Sequence, residues 1–103
     1  MVVFDVVAEP QRRRILDLLL EDERPVGELV DALGLSQPAV SKHLKVLRDA
    51  GLVEARVDGQ RRVYRLRAEP LRQIEEWLLP YRAAWRDRLG ALERHLDEME
   101  DEG

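Results

Sequence analysis

The chain has 103 residues, no cysteine and a formal net charge of −4. This length fits a single domain, and the missing cysteines exclude disulfides, thiol nucleophiles and cysteine-ligated metal sites. Since no apolar run reaches the roughly 20 residues that cross a bilayer and the first residues do not resemble a signal peptide, we expect a cytoplasmic protein with no membrane partner.

The N-terminal segment predicts two helices. Val2–Ala8 is a short apolar stretch, and Pro10 fits the first turn of a second helix, where its missing N–H is not needed. This second helix is predicted to end near Leu20, and the charged connection Glu21–Arg24 follows it. Its apolar stripe at helical spacing consists of Ile15, Leu16, Leu19 and Leu20.

The next segment predicts a helix-turn-helix. A short helix, Glu28–Leu33, is followed by Gly34, the residue type that commonly ends a helix. Ser36 is a good N-cap for a second helix over Gln37–Ala50. Two short helices joined by a three-residue turn are the core of this motif.

Residues 52–67 predict a β-hairpin. Leu52–Val57 and Arg61–Arg67 alternate in the manner of strands, and Asp58-Gly59 between them suits a type I′ turn, which needs positive φ at both central positions. We expect Tyr64 and Leu66 to face inward. The opposite face carries Arg61, Arg65 and Arg67.

A long final helix is predicted from Ala68-Glu69-Pro70 onward. Pro80 removes one of its backbone hydrogen bonds and should kink it near Leu79. The apolar residues of this helix recur at intervals of three or four and are Leu71, Ile74, Leu78, Tyr81, Trp85, Leu89, Leu92, Leu96 and Met99.

One face of the Gln37–Ala50 helix has the character of a recognition helix. On a helical wheel, Val40, Leu44 and Leu47 fall together toward the core, and the opposite face is short-chained near the N-terminus and cationic further on. A recognition helix enters the major groove with such N-terminal residues. His43 lies at the interior edge, where we expect a hydrogen bond or a packing role. The candidate DNA-binding residues of this segment are Ser36, Gln37, Pro38, Ala39, Ser41, Lys42 and Lys45.

The hairpin is a second candidate DNA-binding segment, because a wing places arginines along phosphates or in the minor groove. Residues 35–67 contain eight Lys/Arg and three Asp/Glu, a net charge of +5, so the remaining residues carry −9. This is the charge distribution of a localised phosphate-binding face. A solvated basic surface and an edge hairpin protected by charge are the alternatives. The candidate wing residues are Arg56, Gly59, Gln60, Arg61 and Arg62.

The final helix has a longer apolar stripe than so small a domain can cover. Packing against a second copy would bury it, although part of the stripe can pack within the chain. We therefore predict a two-fold homodimer through the first and last helices, with two recognition helices about one turn of DNA apart. The candidate interface residues are Val3, Phe4, Leu78, Tyr81, Trp85, Leu89, Leu92 and Leu96.

Several segments of the chain resemble the ArsR family of repressors. Residues 4–16 (FDVVAEPQRRRIL) are similar to the opening of these proteins, and residues 35–47 (LSQPAVSKHLKVL) are similar to their recognition helix. Residues 51–53 (GLV) and 58–64 (DGQRRVY) resemble their wing. The resemblance implies a dimeric winged-helix repressor, of a kind that often controls its own operon.

Many members of this family sense metals, and the resemblance does not extend to their metal sites. The family's cysteine site lies in the helix before the recognition helix, where Glu28–Leu33 contains no cysteine. The family's second site uses Asp and His pairs on the last helix, and here the second histidine is missing. The residues that match it in part are Glu93, His95, Asp97 and Glu98. We therefore predict no metal site and no cofactor.

These observations predict a mostly α-helical fold with a small β-hairpin wing, a winged helix-turn-helix in a single domain over residues 1–103. Residues 1–24 and 69–100 would form the dimerisation helices, residues 25–51 the helix-turn-helix and residues 52–67 the wing. The predicted function is sequence-specific repression by a homodimer at a roughly palindromic operator in double-stranded DNA, with a small-molecule effector left open. A winged-helix protein-interaction module without a specific DNA target is the alternative. No enzymatic activity is predicted, because no paired carboxylates, glycine-rich phosphate loop or Ser/His/Asp arrangement is recognisable.

Overall fold

The computed structural model describes the backbone of residues 2–102 and the side chains of residues 2–99. Residues 1 and 103 of the predicted single domain lie outside the described residues. The chain divides into two compact units, one up to Gln73 and one from Ile74 onward. In chain order the elements are α1 (Val2–Ala8), α2 (Pro10–Glu21), β1 (Arg24–Pro25), α3 (Val26–Leu33), α4 (Gln37–Asp49), β2 (Val53–Asp58), β3 (Arg61–Leu66), a 3₁₀ turn (Glu69–Leu71) and α5 (Arg72–Glu102).

Arginines of α2 cap the preceding helix. Arg12 Nε donates to Val6 O at 2.6 Å, and Arg13 Nη1 donates to Val7 O at 2.7 Å. The Glu9 side chain accepts the Arg12 backbone N–H at 2.9 Å and so caps the start of α2. Because the last carbonyls of a helix have no partner within it, these side chains anchor α1 onto α2.

The first unit contains the hydrophobic core. Val40, Leu44 and Leu47 are at most 1% exposed, which confirms the predicted core face of α4. Leu20 was wrongly predicted to share the stripe of α2, since its side chain is 73% exposed. At 100° per residue it lies about 140° from Ile15, at the edge of that stripe. The buried hydrophobic residues are Val3, Val6, Ile15, Leu16, Leu19, Leu29, Leu33, Val40, Leu44, Leu47, Leu52, Val53, Val63 and Tyr64.

The hairpin belongs to a three-stranded antiparallel sheet with the order β1-β3-β2. The pairing of β2 with β3 runs from Val53 opposite Leu66 to Asp58 opposite Arg61. β1, which the sequence did not predict, pairs Pro25 with Val63 on the other edge of β3. β3 is therefore the central strand.

In this central position β3 has buried side chains on both of its faces. Val63 and Tyr64 are adjacent in β3 and so point to opposite faces, yet they are only 5% and 7% exposed. The face that was predicted to carry Arg61, Arg65 and Arg67 therefore also contributes Val63 to the core.

The turn of the hairpin also differs from the prediction. Because Asp58 pairs with Arg61, the two central residues of the turn are Gly59 and Gln60. Gly59 has a φ of +64°, and no described residue other than glycine has positive φ. Positive φ at the first central residue alone is the requirement of a type II′ turn, so the predicted type I′ turn was wrong.

The second unit is formed by α5 from Ile74 onward. The helix continues through Pro80 without interruption, and the kink near Leu79 stays a prediction. Between residues 74 and 99 no side chain is buried. None of the described helices has the length and mean hydropathy that a membrane-spanning helix requires.

Candidate nucleic-acid interface

The turn between α3 and α4 sets the direction of the candidate recognition helix. Gly34 ends α3 in the left-handed conformation, with φ 68° and ψ 24°, and its N–H donates to Val30 O at 3.0 Å. Ser36 Oγ accepts the Ala39 N–H at 3.3 Å and caps the start of α4. Both features match the predicted stop and start signals of the helix-turn-helix.

The face of α4 opposite the core is open to solvent. Lys45 Nζ lies 3.0 Å from Asp49 Oδ2, one turn further along, so its charge is partly neutralised. Lys42 has no ion-pair partner among the described side chains. Of the candidate residues in this segment, Ala39 is half-buried and the exposed ones are Ser36, Gln37, Pro38, Ser41, Lys42 and Lys45.

A groove of about 810 Å³ joins this face to the hairpin. α4 contributes Gln37, Ser41 and Lys45 to its lining, and the hairpin tip contributes a second set of candidate residues, Gln60, Arg61 and Arg62. α3 adds two carboxylates, those of Glu28 and Asp31. The structure thus brings together two groups of residues that sequence patterns had singled out independently.

Other candidate residues lie around this groove. Pro38, Ala39 and Lys42 line a shallower depression of about 520 Å³ that also includes Ser41 and Lys45. Arg56 lines a smaller groove of about 270 Å³. Ser36 and Gly59 have structural positions, as the N-cap of α4 and as the positive-φ residue of the turn.

Carboxylates of the same chain engage most of the hairpin arginines. Arg56 pairs with Glu23, from the connection between α2 and β1. The hydrogen bond and the negative charge of Glu23 raise the pKa of Arg56. Arg61 Nη2 lies 3.4 Å from Asp58 Oδ2 across the turn. These arginines must exchange a carboxylate for a phosphate if they bind DNA.

A second ion-pair cluster lies on the two long strands. Glu54 of β2 accepts hydrogen bonds from Arg65 and, at 2.9 Å, from Arg67. Desolvation alone would raise the pKa of Glu54, but the hydrogen bonds and charges of the two arginines outweigh it and lower the pKa. Both carboxylate oxygens of Glu54 are therefore occupied.

Arg48 is a groove residue that the sequence reasoning missed. It lies in the last turn of α4 and lines both the large groove and the smaller one next to it. The signal was present in the sequence, because at 100° per residue Arg48 falls within about 20° of Gln37 on the helical wheel.

His43 is half-buried at the interior edge of α4, as predicted. Its Nδ1 atom lies 3.9 Å from Glu9 Oε2, at the N-cap of α2. The described residues contain no group of three or more His, Asp or Glu side chains that could hold a metal ion. The prediction that the chain has no metal site stays a prediction.

The candidate dimer residues differ in exposure. Val3 is only 4% exposed within its own chain, so it has almost no surface to offer a second copy and is removed from the candidate interface. The reason is that α1 directs Val3 and Val6 into the core. Phe4 and Leu78 are half-buried. The remaining candidates are 49–59% exposed and are Tyr81, Trp85, Leu89, Leu92 and Leu96.

Comparison with known proteins identifies the family. Residues 9–55 match the family model described as bacterial regulatory protein, arsR family. The transcriptional repressor SdpR of Bacillus subtilis is 32% identical over 79 residues, which cover 77% of this chain and 88% of SdpR. The chain belongs to the ArsR family. This is a family of transcriptional regulators rather than of enzymes.

Further relatives of this ArsR-family chain support its fold. Rv0081 of Mycobacterium tuberculosis, an uncharacterized HTH-type transcriptional regulator, is 43% identical over 72 residues. The match covers 69% of the chain and 63% of Rv0081, so the chain spans just under two thirds of that relative. A crystal structure of an ArsR family transcriptional regulator superposes with a TM-score of 0.72 at 28% identity, covering 82% of this chain and 93% of that one. The predicted winged helix-turn-helix fold is confirmed.

Proposed function

We propose that this ArsR-family chain is a transcriptional repressor that binds double-stranded DNA as a homodimer. The observation that carries the proposal is the groove in which the exposed face of α4 meets the hairpin tip. Its amide and hydroxyl groups suit base edges, and its lysine and arginines suit phosphates. The similarity to a relative named as a repressor supports repression.

The residues have different roles in this proposal. Gln37 has the side chain that pairs with adenine, and Ser41 and Lys42 are within the first turns that enter a major groove. Lys45 and the wing arginines contact phosphates or the minor groove. The proposed DNA contacts are Ser36, Gln37, Pro38, Ala39, Ser41, Lys42, Lys45, Arg56, Gly59, Gln60, Arg61 and Arg62. A dimer bound across a promoter would exclude polymerase by steric occlusion.

We propose that the chain forms a single domain. The homodimer is proposed to form through α1 and α5 of the two copies. The apolar side chains of α5 support it, because about half the surface of each is exposed to water and a second copy would cover it. Two-fold symmetry then calls for an operator with two similar half-sites, centred about 10 base pairs apart. The proposed interface residues are Phe4, Leu78, Tyr81, Trp85, Leu89, Leu92 and Leu96.

Selection from genomic DNA tests the proposal. We expect the tagged full chain to retain a few fragments that share an inverted repeat, whereas Ser41→Glu, which places a carboxylate on the exposed face of α4, retains none. Retention of a partner protein and of no fragment would overturn the proposal in favour of an interaction module.

A salt titration of the retained fragment provides a second test. Phosphate contacts release counterions, so the logarithm of the binding constant should fall steeply with the logarithm of salt concentration. A binding constant that hardly changes between about 50 and 200 mM salt would contradict a phosphate-binding face.

A further inference from the structure

The cations of α4 and the hairpin fall into two groups. Five are paired with carboxylates of the same chain, namely Lys45, Arg56, Arg61, Arg65 and Arg67. The other three side chains have no hydrogen-bond or ion-pair partner in the part of the chain that the structure describes. They are Lys42, Arg48 and Arg62.

Two of these unpaired cations line the same groove. A groove of about 270 Å³ between α4 and the hairpin is lined by Arg48, Glu54, Ala55, Arg56, Val57 and Arg62. Its carboxylate, Glu54, is occupied on both oxygens by Arg65 and Arg67. Its third arginine, Arg56, is occupied by Glu23. Arg48 and Arg62 are therefore the arginines of this groove that make no described ion pair, and both also line the larger groove beside it, to which α3 contributes Glu28 and Asp31.

We infer that Arg48 and Arg62 together hold a backbone phosphate of duplex DNA between the last turn of α4 and the hairpin. This inference rests on the proposed DNA-binding function and names part of its contact surface. Two guanidinium groups that make no ion pair with a described carboxylate favour an anion between them, and guanidinium matches the geometry of phosphate oxygens. Neither arginine has to break an existing ion pair to bind it, in contrast to Arg56 and Arg61.

The contact has a distinct role within the interface. Phosphate contacts carry no direct sequence information, so this pair contributes affinity and register. Gln37 and Ser41, nearer the N-terminus of α4, remain the side chains for base recognition. Arg48 thus extends the candidate interface to the C-terminal end of the recognition helix.

The test compares Arg48→Gln, Arg62→Gln and the double variant with Arg14→Gln. Arg14 is exposed on α2, and among the described residues its side chain hydrogen-bonds only to Gln11, so its substitution removes the same charge from a residue that does not line the groove. Binding of the genomically selected duplex and of a random duplex is measured against NaCl concentration. We expect each single substitution to reduce the salt slope and the double variant to reduce it by about one unit per protomer, because the two arginines neutralise one phosphate between them. Binding should weaken equally for both duplexes. The Arg14→Gln slope should equal that of the wild type.

Charge-conserving variants guard against a folding defect. Arg48→Lys and Arg62→Lys keep the positive charge, so the salt slope should return toward the wild-type value. A second outcome would show that the inference is wrong. In that case Arg48→Gln lowers the thermal stability but has the same salt slope as Arg14→Gln, which means that Arg48 only stabilises the end of α4. If the wild-type chain binds no duplex at all, the failure is that of the proposed function.

Discussion

At the scale of single residues, the glycines at the two ends of α3 have opposite conformational roles. Gly34 ends the helix with φ +68°, whereas Gly27 lies in its first turn with no positive φ. At neither position would a Cβ atom have a neighbour within 4 Å. Any effect of an added methyl group must therefore come from the backbone.

We predict effects of opposite sign for the two alanine substitutions. Gly34→Ala should lower the free energy of unfolding by about 1–2 kcal/mol, because an L-residue is strained in the left-handed conformation. Gly27→Ala should raise it by up to about 1 kcal/mol, because alanine loses less entropy in a helix. Urea denaturation measures the free energy of unfolding of both variants. A change of the same sign in both variants would contradict the prediction.

Glu54 is the residue from which we expect a pH-dependent contribution to stability. Its carboxylate accepts hydrogen bonds from Arg65 and Arg67, which lower its pKa in the folded state. A carboxyl with a lower pKa in the folded than in the unfolded state stabilises the fold at neutral pH. That contribution is lost as the pH falls below about 4.3, the ordinary pKa of glutamate, toward the folded-state value.

Glu54→Gln should therefore have a lower free energy of unfolding than the wild type at pH 7. The difference in free energy between the two proteins should narrow as the pH falls from 5 to 3, and urea denaturation at a series of pH values measures this difference. Glu76→Gln removes an exposed carboxylate that has no ion pair in the described structure and provides the control. A difference that stays constant from pH 7 to pH 3 would rule out the ionised Glu54 cluster as its source.

At the scale of elements, an ion pair links the hairpin to the connection between α2 and β1. Arg56 of β2 pairs with Glu23, 33 residues earlier, just before β1. This pair holds an arginine that we propose as a DNA contact. Binding of a phosphate by Arg56 must compete with Glu23.

We therefore predict that Glu23→Gln tightens binding to duplex DNA at low salt. Freed from its carboxylate, Arg56 gains a phosphate contact, and the salt slope should steepen by about one unit per protomer. Filter binding or fluorescence anisotropy at several NaCl concentrations measures both. Combining it with Arg56→Gln should abolish the gain, and a slope unchanged by Glu23→Gln alone would remove Arg56 from the DNA contacts.

The elements that the sequence predicted well are those with local signals. α2, α3 and α4 follow from their hydrophobic periodicity and from local start and stop signals. These signals are Pro10 in the first turn of α2, Gly34 after α3 and the N-cap Ser36 before α4. β1 was missed, because a two-residue strand shows no period and its partner, Tyr64, lies 40 positions further along the chain. The predicted turn type was wrong because Asp58 pairs with Arg61 and is therefore the last residue of β2. Its local preference for a turn position does not decide the structure here.

The sequence likewise predicted one part of the candidate site and not the other. The exposed face of α4 and the basic hairpin tip could be named from helical and strand periodicity. The carboxylates that engage the arginines could not, since Arg56 with Glu23 and Arg65 with Glu54 are joined only by the folded sheet. Which cations remain unpaired is therefore a property of the tertiary structure.

At the scale of the whole molecule, α5 has an apolar seam that is open to solvent. Trp85, Leu89, Leu92, Leu96 and Met99 follow one another at intervals of four and three, the spacing of a and d positions in a coiled coil. Each of these side chains is at least 50% exposed. A seam of this kind is stabilised when another helix covers it, and a second copy of α5 has the matching repeat.

We predict that Leu92→Glu converts the proposed homodimer into monomers. The substitution places a charge in the middle of the seam, where its burial against a second copy would be unfavourable. Ala91→Glu is the matched control, since it adds the same charge one residue away, about 100° around the helix and off the seam. Sedimentation velocity should give a dimer for the wild type and for Ala91→Glu.

DNA binding by the same variants links dimerisation to function. A monomer contacts one half-site, so Leu92→Glu should lose about 100-fold or more in operator affinity while its affinity for an isolated half-site is unchanged. Circular dichroism should show that residues 2–73, which contain the core, remain folded. If the Leu92→Glu protein sediments as a dimer, the seam is not the interface. If it is a monomer that binds the operator as tightly as the wild type does, dimerisation contributes nothing to DNA binding.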